Sequence, residues 1–99
     1  MMSVKLGFLV LLEAREGKGG ELGALLRSAR ELAVAEQGTV TWYAFGIDEN
    51  HYGIFDTFET EDGRTAHING PIAEALMKAA PDLLAGDPSI QPVDVIAAK

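Results

Sequence analysis

Two ionisable side chains in the sequence have surroundings that suit acid–base chemistry. His67 falls in a short predicted helix, and a histidine takes up or releases a proton near neutral pH. Asp56 falls among Ile54, Phe55 and Phe58 in a predicted strand, where a carboxylate needs either solvent or a partner. The alternative interpretation is a capped histidine at the surface and an aspartate at the wet end of the sheet.

The aromatic side chains cluster on the predicted strands, and most of them are expected in the core. A few could line a cavity for a planar apolar ligand, because such cavities are largely apolar with a few orienting polar groups. The candidates are Trp42, Tyr43 and Tyr52, since each has a hydrogen-bonding end.

Composition excludes several classes of function. Fifteen Asp and Glu residues against eight Lys and Arg give a formal charge of -7, which argues against nucleic-acid binding and against docking on anionic lipid. Without cysteine there is no disulfide, thiolate nucleophile or Cys-based metal site. His51 and His67 are too far apart for a local metal pair, so no metal site is expected. The sequence also lacks GxSxG, HExxH, a P-loop and a GxGxxG after a strand.

The longest apolar run, Leu6 to Leu12, is far shorter than the roughly 20 residues that cross a bilayer. Glu13-Ala14-Arg15, which follows it, does not resemble a signal-peptide cleavage site. We therefore expect no membrane association and a cytoplasmic protein.

Hydrophobic periodicity predicts seven elements that position these residues. Val4 to Glu13 is predicted as a strand with apolar residues on both alternating sets. From Glu21, apolar residues at helical spacing predict a helix that ends at Gly38 in a left-handed cap, with Glu36 off its apolar face.

The second half of the chain predicts a hairpin, two helices and a last strand. The hairpin consists of the strands Thr39–Ile47 and Tyr52–Phe58. It is followed by a helix that is capped by Thr60 and runs to about Asn69, and by a helix from Pro71 that is kinked or broken at Pro81. The last strand is Ile90–Ala98, with Pro92 at an edge. The order β-α-β-β-α-α-β within residues 1–99 predicts a single α+β domain, a ferredoxin-like sheet with its helices on one face.

The other face of such a sheet should carry polar residues, but the strands are apolar on both sides. The second strand has Tyr43, Phe45 and Ile47 on one alternating set and Val40, Trp42 and Ala44 on the other. Leaving these side chains in water forgoes about 1.5–3 kcal/mol for each large one. We therefore predict a two-fold homodimer in which a second subunit covers the bare face. The alternative is a bent sheet covered by its own C-terminal residues.

The run Tyr52 to Ile72 resembles the antibiotic biosynthesis monooxygenase family. Its members show a strand ending in an aromatic, an acidic turn, a short helix with an Ala-His pair and a following proline, here Phe58, Glu59–Asp62, Ala66-His67 and Pro71. Family members often have Trp at the position of Phe58 and a second His at the position of Ile72.

The resemblance implies two ferredoxin-like protomers that form a dimeric α+β barrel, and oxidation of small phenols or quinols by dioxygen without a cofactor. It assigns the catalytic role to His67, which would orient the substrate or move a proton. With the strand aromatics as walls, the candidate substrate-binding residues are Trp42, Tyr43, Tyr52 and Phe58, to which Asp56 is added from its place in the strand. Two alternatives stay open: a non-catalytic dimer that binds a small apolar ligand or a partner, and an isomerase on the same barrel.

Overall fold

The chain folds into one four-stranded antiparallel sheet and three helices, and the computed structural model describes residues 4–99. The elements are β1 (Leu6–Glu13), α1 (Gly19–Ala35), β2 (Thr39–Gly46), β3 (His51–Phe58), α2 (Glu61–Ile68), α3 (Pro71–Leu83) and β4 (Ser89–Asp94). The spatial order of the strands is β2-β3-β1-β4. The predicted α+β, ferredoxin-like arrangement is confirmed.

Strand register places one set of side chains beneath the helices. Phe8 of β1 pairs with Asp56 of β3, and Asp56 pairs with Trp42 of β2, so these three residues share the helix-covered face. The core lies between this face and the helices, chiefly α1, with residues of α2 and α3 packed against it. Its buried members include Phe8, Val10, Leu12, Ile54 and Phe58 from the strands and Leu22 and Leu26 from α1.

The opposite face, here called the open face, carries no helix in the described part of the chain. Tyr43 and Ile47 are 60% and 61% exposed there, and Phe45 is 37% exposed. Leu9 and Phe55, which pair across β1 and β3, are half-buried on the same face. The prediction that the sheet is apolar on both sides is therefore confirmed.

The C-terminal end of α1 differs from the prediction. The helix starts at Gly19 rather than Glu21 and ends at Ala35, because Glu36 already has an extended backbone (φ -81°, ψ 113°). Among residues 4–99 only Gly17 has a positive φ, so the predicted left-handed cap at Gly38 is wrong. Gly38 instead allows a close approach, since a Cβ there would lie 2.9 Å from Cα of Gly63.

Strand β4 is shorter than predicted, ending at Asp94 rather than Ala98. Within residues 4–99 it pairs with β1 alone. Because β1 begins at Leu6, directly opposite Asp94, no strand residue lies opposite the positions after Asp94. One further bond, from the N–H of Val95 to the carbonyl of Lys5 (2.8 Å), continues the pairing. The edge position of Pro92 is confirmed, because β4 has a neighbour on one side only.

The remaining boundaries move by one or two residues. β1 begins at Leu6 instead of Val4, β2 ends at Gly46 instead of Ile47, and β3 begins at His51 instead of Tyr52. α3 continues through Pro81 to Leu83 rather than stopping there. None of the helices within residues 4–99 is long and apolar enough to cross a membrane.

Candidate functional site

His67 lies in the last turn of α2 and points inward. The helix starts where the side chain of Thr60 accepts a hydrogen bond from the N–H of Gly63 (3.1 Å), as the sequence predicted. His67 is only 8% exposed, and its ring lies 5.3 Å from that of Phe58 between centroids. The interpretation as a capped surface histidine is therefore wrong.

Two carboxylates hold the imidazole, one at each ring nitrogen. Nδ1 lies 2.6 Å from Oε1 of Glu36, the residue that directly follows α1. Nε2 lies 2.8 Å from Oδ2 of Asp56 on β3. The hydroxyl of Thr39 also donates to Oε1 of Glu36 (2.7 Å), which fixes this carboxylate. We call this arrangement the Glu36–His67–Asp56 cluster.

Asp56 is fully buried, with an exposed fraction of 0%. The interpretation that places it at the wet end of the sheet is wrong, because its position in the middle of β3, between Phe8 and Trp42, removes it from water. Its contact with Nε2 of His67 is an ion-pair contact rather than a well-aligned hydrogen bond, and Oδ1 has no hydrogen-bond partner within residues 4–99. Buried oxygens usually accept a hydrogen bond, so this unpaired oxygen suits a group with a hydrogen-bond donor.

The two carboxylates and burial act in opposite directions on His67. Burial, the largest single effect, lowers the pKa of His67. The close contacts of the imidazole with Asp56 and Glu36, together with their negative charges, outweigh burial, so the pKa is raised above 6.5. When His67 is protonated, both ring nitrogens are donors and each faces an acceptor. The cluster therefore favours the protonated imidazole in a site shielded from water.

A small cavity of about 50 Å³ lies beside the cluster, between the sheet and α3. Asp56 and His67 supply its polar wall, and the rest is aliphatic, including Ile54, Ile72 and Leu76. At its rim, Met77 is 62% exposed. This volume is well below the 300–1,000 Å³ or so of typical small-molecule pockets, so an aromatic ring can enter only if the rim opens.

A larger groove of about 460 Å³ lies between α1 and β2. Trp42, Tyr43 and Tyr52 line it, together with Arg27 and Arg30 of α1. The structure thus divides the predicted substrate-binding residues between two places. Asp56 lies with His67 at the cavity, and Trp42 and Tyr52 lie at the groove on the helix-covered side. Tyr43 also borders the groove, but its position in β2 places its side chain on the open face.

Phe58 belongs to neither opening as a wall residue. It is fully buried, and its ring meets Phe8 edge-on at 6.1 Å and supports the ring of His67. Its contact with the imidazole makes it a packing partner of His67 rather than an exposed surface for a ligand.

The carboxylates of the cluster lie on opposite sides of the imidazole ring, so they do not converge on a common point. Among the residues that the structure describes, no group of three or more His, Cys, Asp or Glu side chains is arranged to hold a metal ion.

The comparison with solved structures finds a protein that is similar along almost the whole chain. The NE2512 protein of unknown function from Nitrosomonas europaea is 46% identical, with a TM-score of 0.95 over 97% of this chain and 93% of that one. The chain belongs to the NE2512 family. No protein-family model and no curated protein gives a match.

More distant structures share the fold of the NE2512 family. A proposed antibiotic biosynthesis monooxygenase from Nitrosomonas europaea is 13% identical, with a TM-score of 0.82 over 93% of this chain and 99% of that one. Another protein so described, from Caulobacter crescentus, is 18% identical, with a TM-score of 0.79 over 95% and 92%. At these identities the likeness shows an antibiotic biosynthesis monooxygenase-like fold and nothing finer.

Glu36 is the residue that sequence reasoning missed. The helical periodicity of α1 places it off the apolar face, where a charged side chain normally meets water. The helix ends at Ala35, one residue before Glu36. The close approach of Gly38 to Gly63 then brings α2 near enough for His67 to reach the carboxylate of Glu36. The glycine at position 38 was a possible signal in the sequence, because glycine allows two segments to approach closely. That Gly38 lies against Gly63 of α2, however, is seen only in the folded chain.

Proposed function

We propose that the protein is a cofactor-independent monooxygenase that oxidises a small phenol or quinol with dioxygen. The observation that carries this proposal is that Asp56, whose Oδ1 has no hydrogen-bond partner within residues 4–99, lines a cavity together with His67, the other lining residues in the described part of the chain being apolar. A phenolic O–H is a donor of the kind that this oxygen lacks. The fold shared with proteins described as antibiotic biosynthesis monooxygenases supports the same class of reaction.

The proposed chemistry balances without an external reductant. A phenol with a free para position becomes a quinone: one oxygen atom of O₂ enters the ring, the other leaves as water, and the substrate supplies all four electrons. Asp56 accepts the hydroxyl proton, which makes the ring electron-rich, and His67 returns a proton to the reduced oxygen. The aliphatic walls exclude water from the reacting oxygen species.

The experiment is oxygen uptake with a panel of phenols, quinols and anthrones, using protein freed of metals and flavins. We expect His67→Gln to lower kcat at least about 100-fold, as loss of a general acid–base does. His51→Gln is the matched control, because His51 also contacts a carboxylate, Asp48 at 2.8 Å, but at the surface. Equal rates in the two variants, or no uptake with any compound, would argue against the proposal.

A second candidate function is a non-catalytic dimer that binds a small ligand. It is favoured by the separation of the two openings, since the groove large enough for a ring does not include His67 or Asp56. Thermal stabilisation by a ligand with no product formed would support this function over the first.

We also propose that the working unit is a homodimer whose open faces pack together. The exposed apolar side chains Tyr43, Phe45 and Ile47 support it, because a contiguous apolar surface of this kind marks an interface.

A further inference from the structure

We propose that the groove between α1 and β2 binds a small planar aromatic anion, such as an aromatic carboxylate. This binding requires no reaction at His67, so it stands apart from the proposed oxidation. Three observations support this proposal: the charge of the groove, its shape, and the indole N–H of Trp42, which has no acceptor among residues 4–99. Each of them indicates the same class of ligand.

The helix side of the groove presents one face of α1. Gly23, Leu26, Arg27 and Arg30 follow the spacing that puts residues on the same side of a helix. On the sheet side, Trp42 is the residue that the register places beneath α1. The aromatic rings of Trp42 and Tyr52 suit a flat ligand, since stacked and edge-on ring contacts both stabilise such pairs.

The charge of the groove opposes that of the whole chain. The sequence has a formal charge of -7, yet Arg27 and Arg30 are the only charged residues among the ten that line the groove in the described part of the chain. Arg30 contacts Glu31 at 3.2 Å, but both side chains are well exposed, so this ion pair is weak and leaves Arg30 able to turn to a ligand. Arg27 makes no ion pair within residues 4–99. Two guanidinium groups one helical turn apart match a carboxylate.

The third observation is the indole nitrogen of Trp42. Its N–H is buried and has no acceptor among residues 4–99. A buried donor without an acceptor is costly, and indole nitrogens in protein interiors usually have a partner. Because Trp42 lines the groove, a carboxylate bound there can supply this acceptor once the indole ring turns its N–H toward the ligand.

The test uses 2-naphthoate as the probe and 2-naphthamide, which has the same shape without the charge, as its neutral counterpart. We expect the amide to bind at least about tenfold more weakly, because hydrogen bonds to charged groups contribute more than neutral ones. Calorimetry gives the affinities. Trp42 is the only tryptophan in the sequence, so its indole N–H gives a single NMR signal, and we expect naphthoate to move it.

The Arg27→Gln, Arg30→Gln double variant should lose affinity for naphthoate by about tenfold or more. Its matched control is Lys78→Gln, Lys99→Gln, which removes the same charge away from the groove. Circular dichroism establishes that both variants are folded. His67→Gln should retain binding, so a failure of the proposed oxidation is told apart from a failure of this site.

Three results would overturn the proposal. One is equal affinity for naphthoate and naphthamide, and another is equal affinity in the arginine and lysine variants. The third is a naphthoate complex that leaves the Trp42 signal unmoved or is abolished by His67→Gln, because the ligand would then occupy the cavity at α3.

Discussion

Burial and two carboxylates have opposite effects on the pKa of His67. Glu36 and Asp56 outweigh the burial that lowers its pKa, and the pKa is raised. We therefore expect NMR titration of the imidazole to give a midpoint above 6.5. Glu36→Gln should lower this midpoint, because the amide keeps an acceptor for Thr39 but loses the charge. An unchanged midpoint would show that the charge of Glu36 does not raise the pKa of His67.

The raised pKa of His67 also predicts how stability changes with pH. A group whose pKa is higher in the folded than in the unfolded chain binds its proton more tightly on folding. Its stabilising effect is fully present below pH 6.5 and is lost as the pH rises through the folded value. The advantage of the wild type over His67→Gln in free energy of unfolding should therefore shrink as the pH rises above 6.5.

Urea unfolding at a series of pH values measures this effect, and it needs one precaution. The pKa of His51 is also raised, first by its hydrogen bond to Asp48, although His51 lies at the surface. Both proteins should therefore carry His51→Gln. A constant difference across the pH range would mean that His67 does not change its proton affinity on folding.

Between elements, the close approach of Gly38 and Gly63 sets the position of α2. A Cβ on Gly63 would lie 2.9 Å from the carbonyl oxygen of Gly38, so an added methyl group must push α2 away. We expect Gly63→Ala to destabilise the fold by about 1–3 kcal/mol, as overpacking does. His67 should also become more exposed to solvent, because it lies on the helix that moves.

The matched control for this prediction is Gly20→Ala, near the start of α1. A Cβ there meets nothing within 4 Å, so the change should be neutral or stabilise by up to about 1 kcal/mol. Thermal or urea unfolding compares the two variants. Equal stabilities would mean that the approach of Gly38 and Gly63 relaxes without cost.

At the same scale, the sequence predicts the elements better than their contacts. Periodicity is a local property, so the order of elements, the Thr60 cap and the start of α3 at Pro71 were all predictable. The end of β4 was not, because it depends on where β1 stops. His67 was identified from its neighbours in the chain, whereas its bond to Glu36 joins residues 31 positions apart and depends on the packing of α2.

At the scale of the whole molecule, the helices of the described residues cover one of the two apolar faces of the sheet and leave the other without a helix. Tyr43 and Ile47 are each exposed by about three-fifths on the open face, at 60% and 61%. Helices carry single exposed apolar residues too, with Val34 at 66% and Met77 at 62%, and isolated residues of this kind are ordinary. What distinguishes the open face is continuity, since Phe45, Phe55 and Leu9 extend the same patch.

The pair Tyr43 and Ile47 on the open face and the pair Val34 and Met77 on the helices are similarly exposed, so comparing them tests the proposed homodimer. We expect wild-type protein to sediment as a dimer at micromolar concentration, and the double variant Tyr43→Lys, Ile47→Lys to sediment as a monomer of 10.6 kDa or slightly more. Placing charges in an apolar interface costs several kcal/mol unless they are paired. Val34→Lys, Met77→Lys adds the same charge to side chains of similar exposure on the helices, and it should stay dimeric. If the wild type is a stable monomer, or if both variants dissociate alike, the open face is not the interface and the apolar surface must be covered in another way.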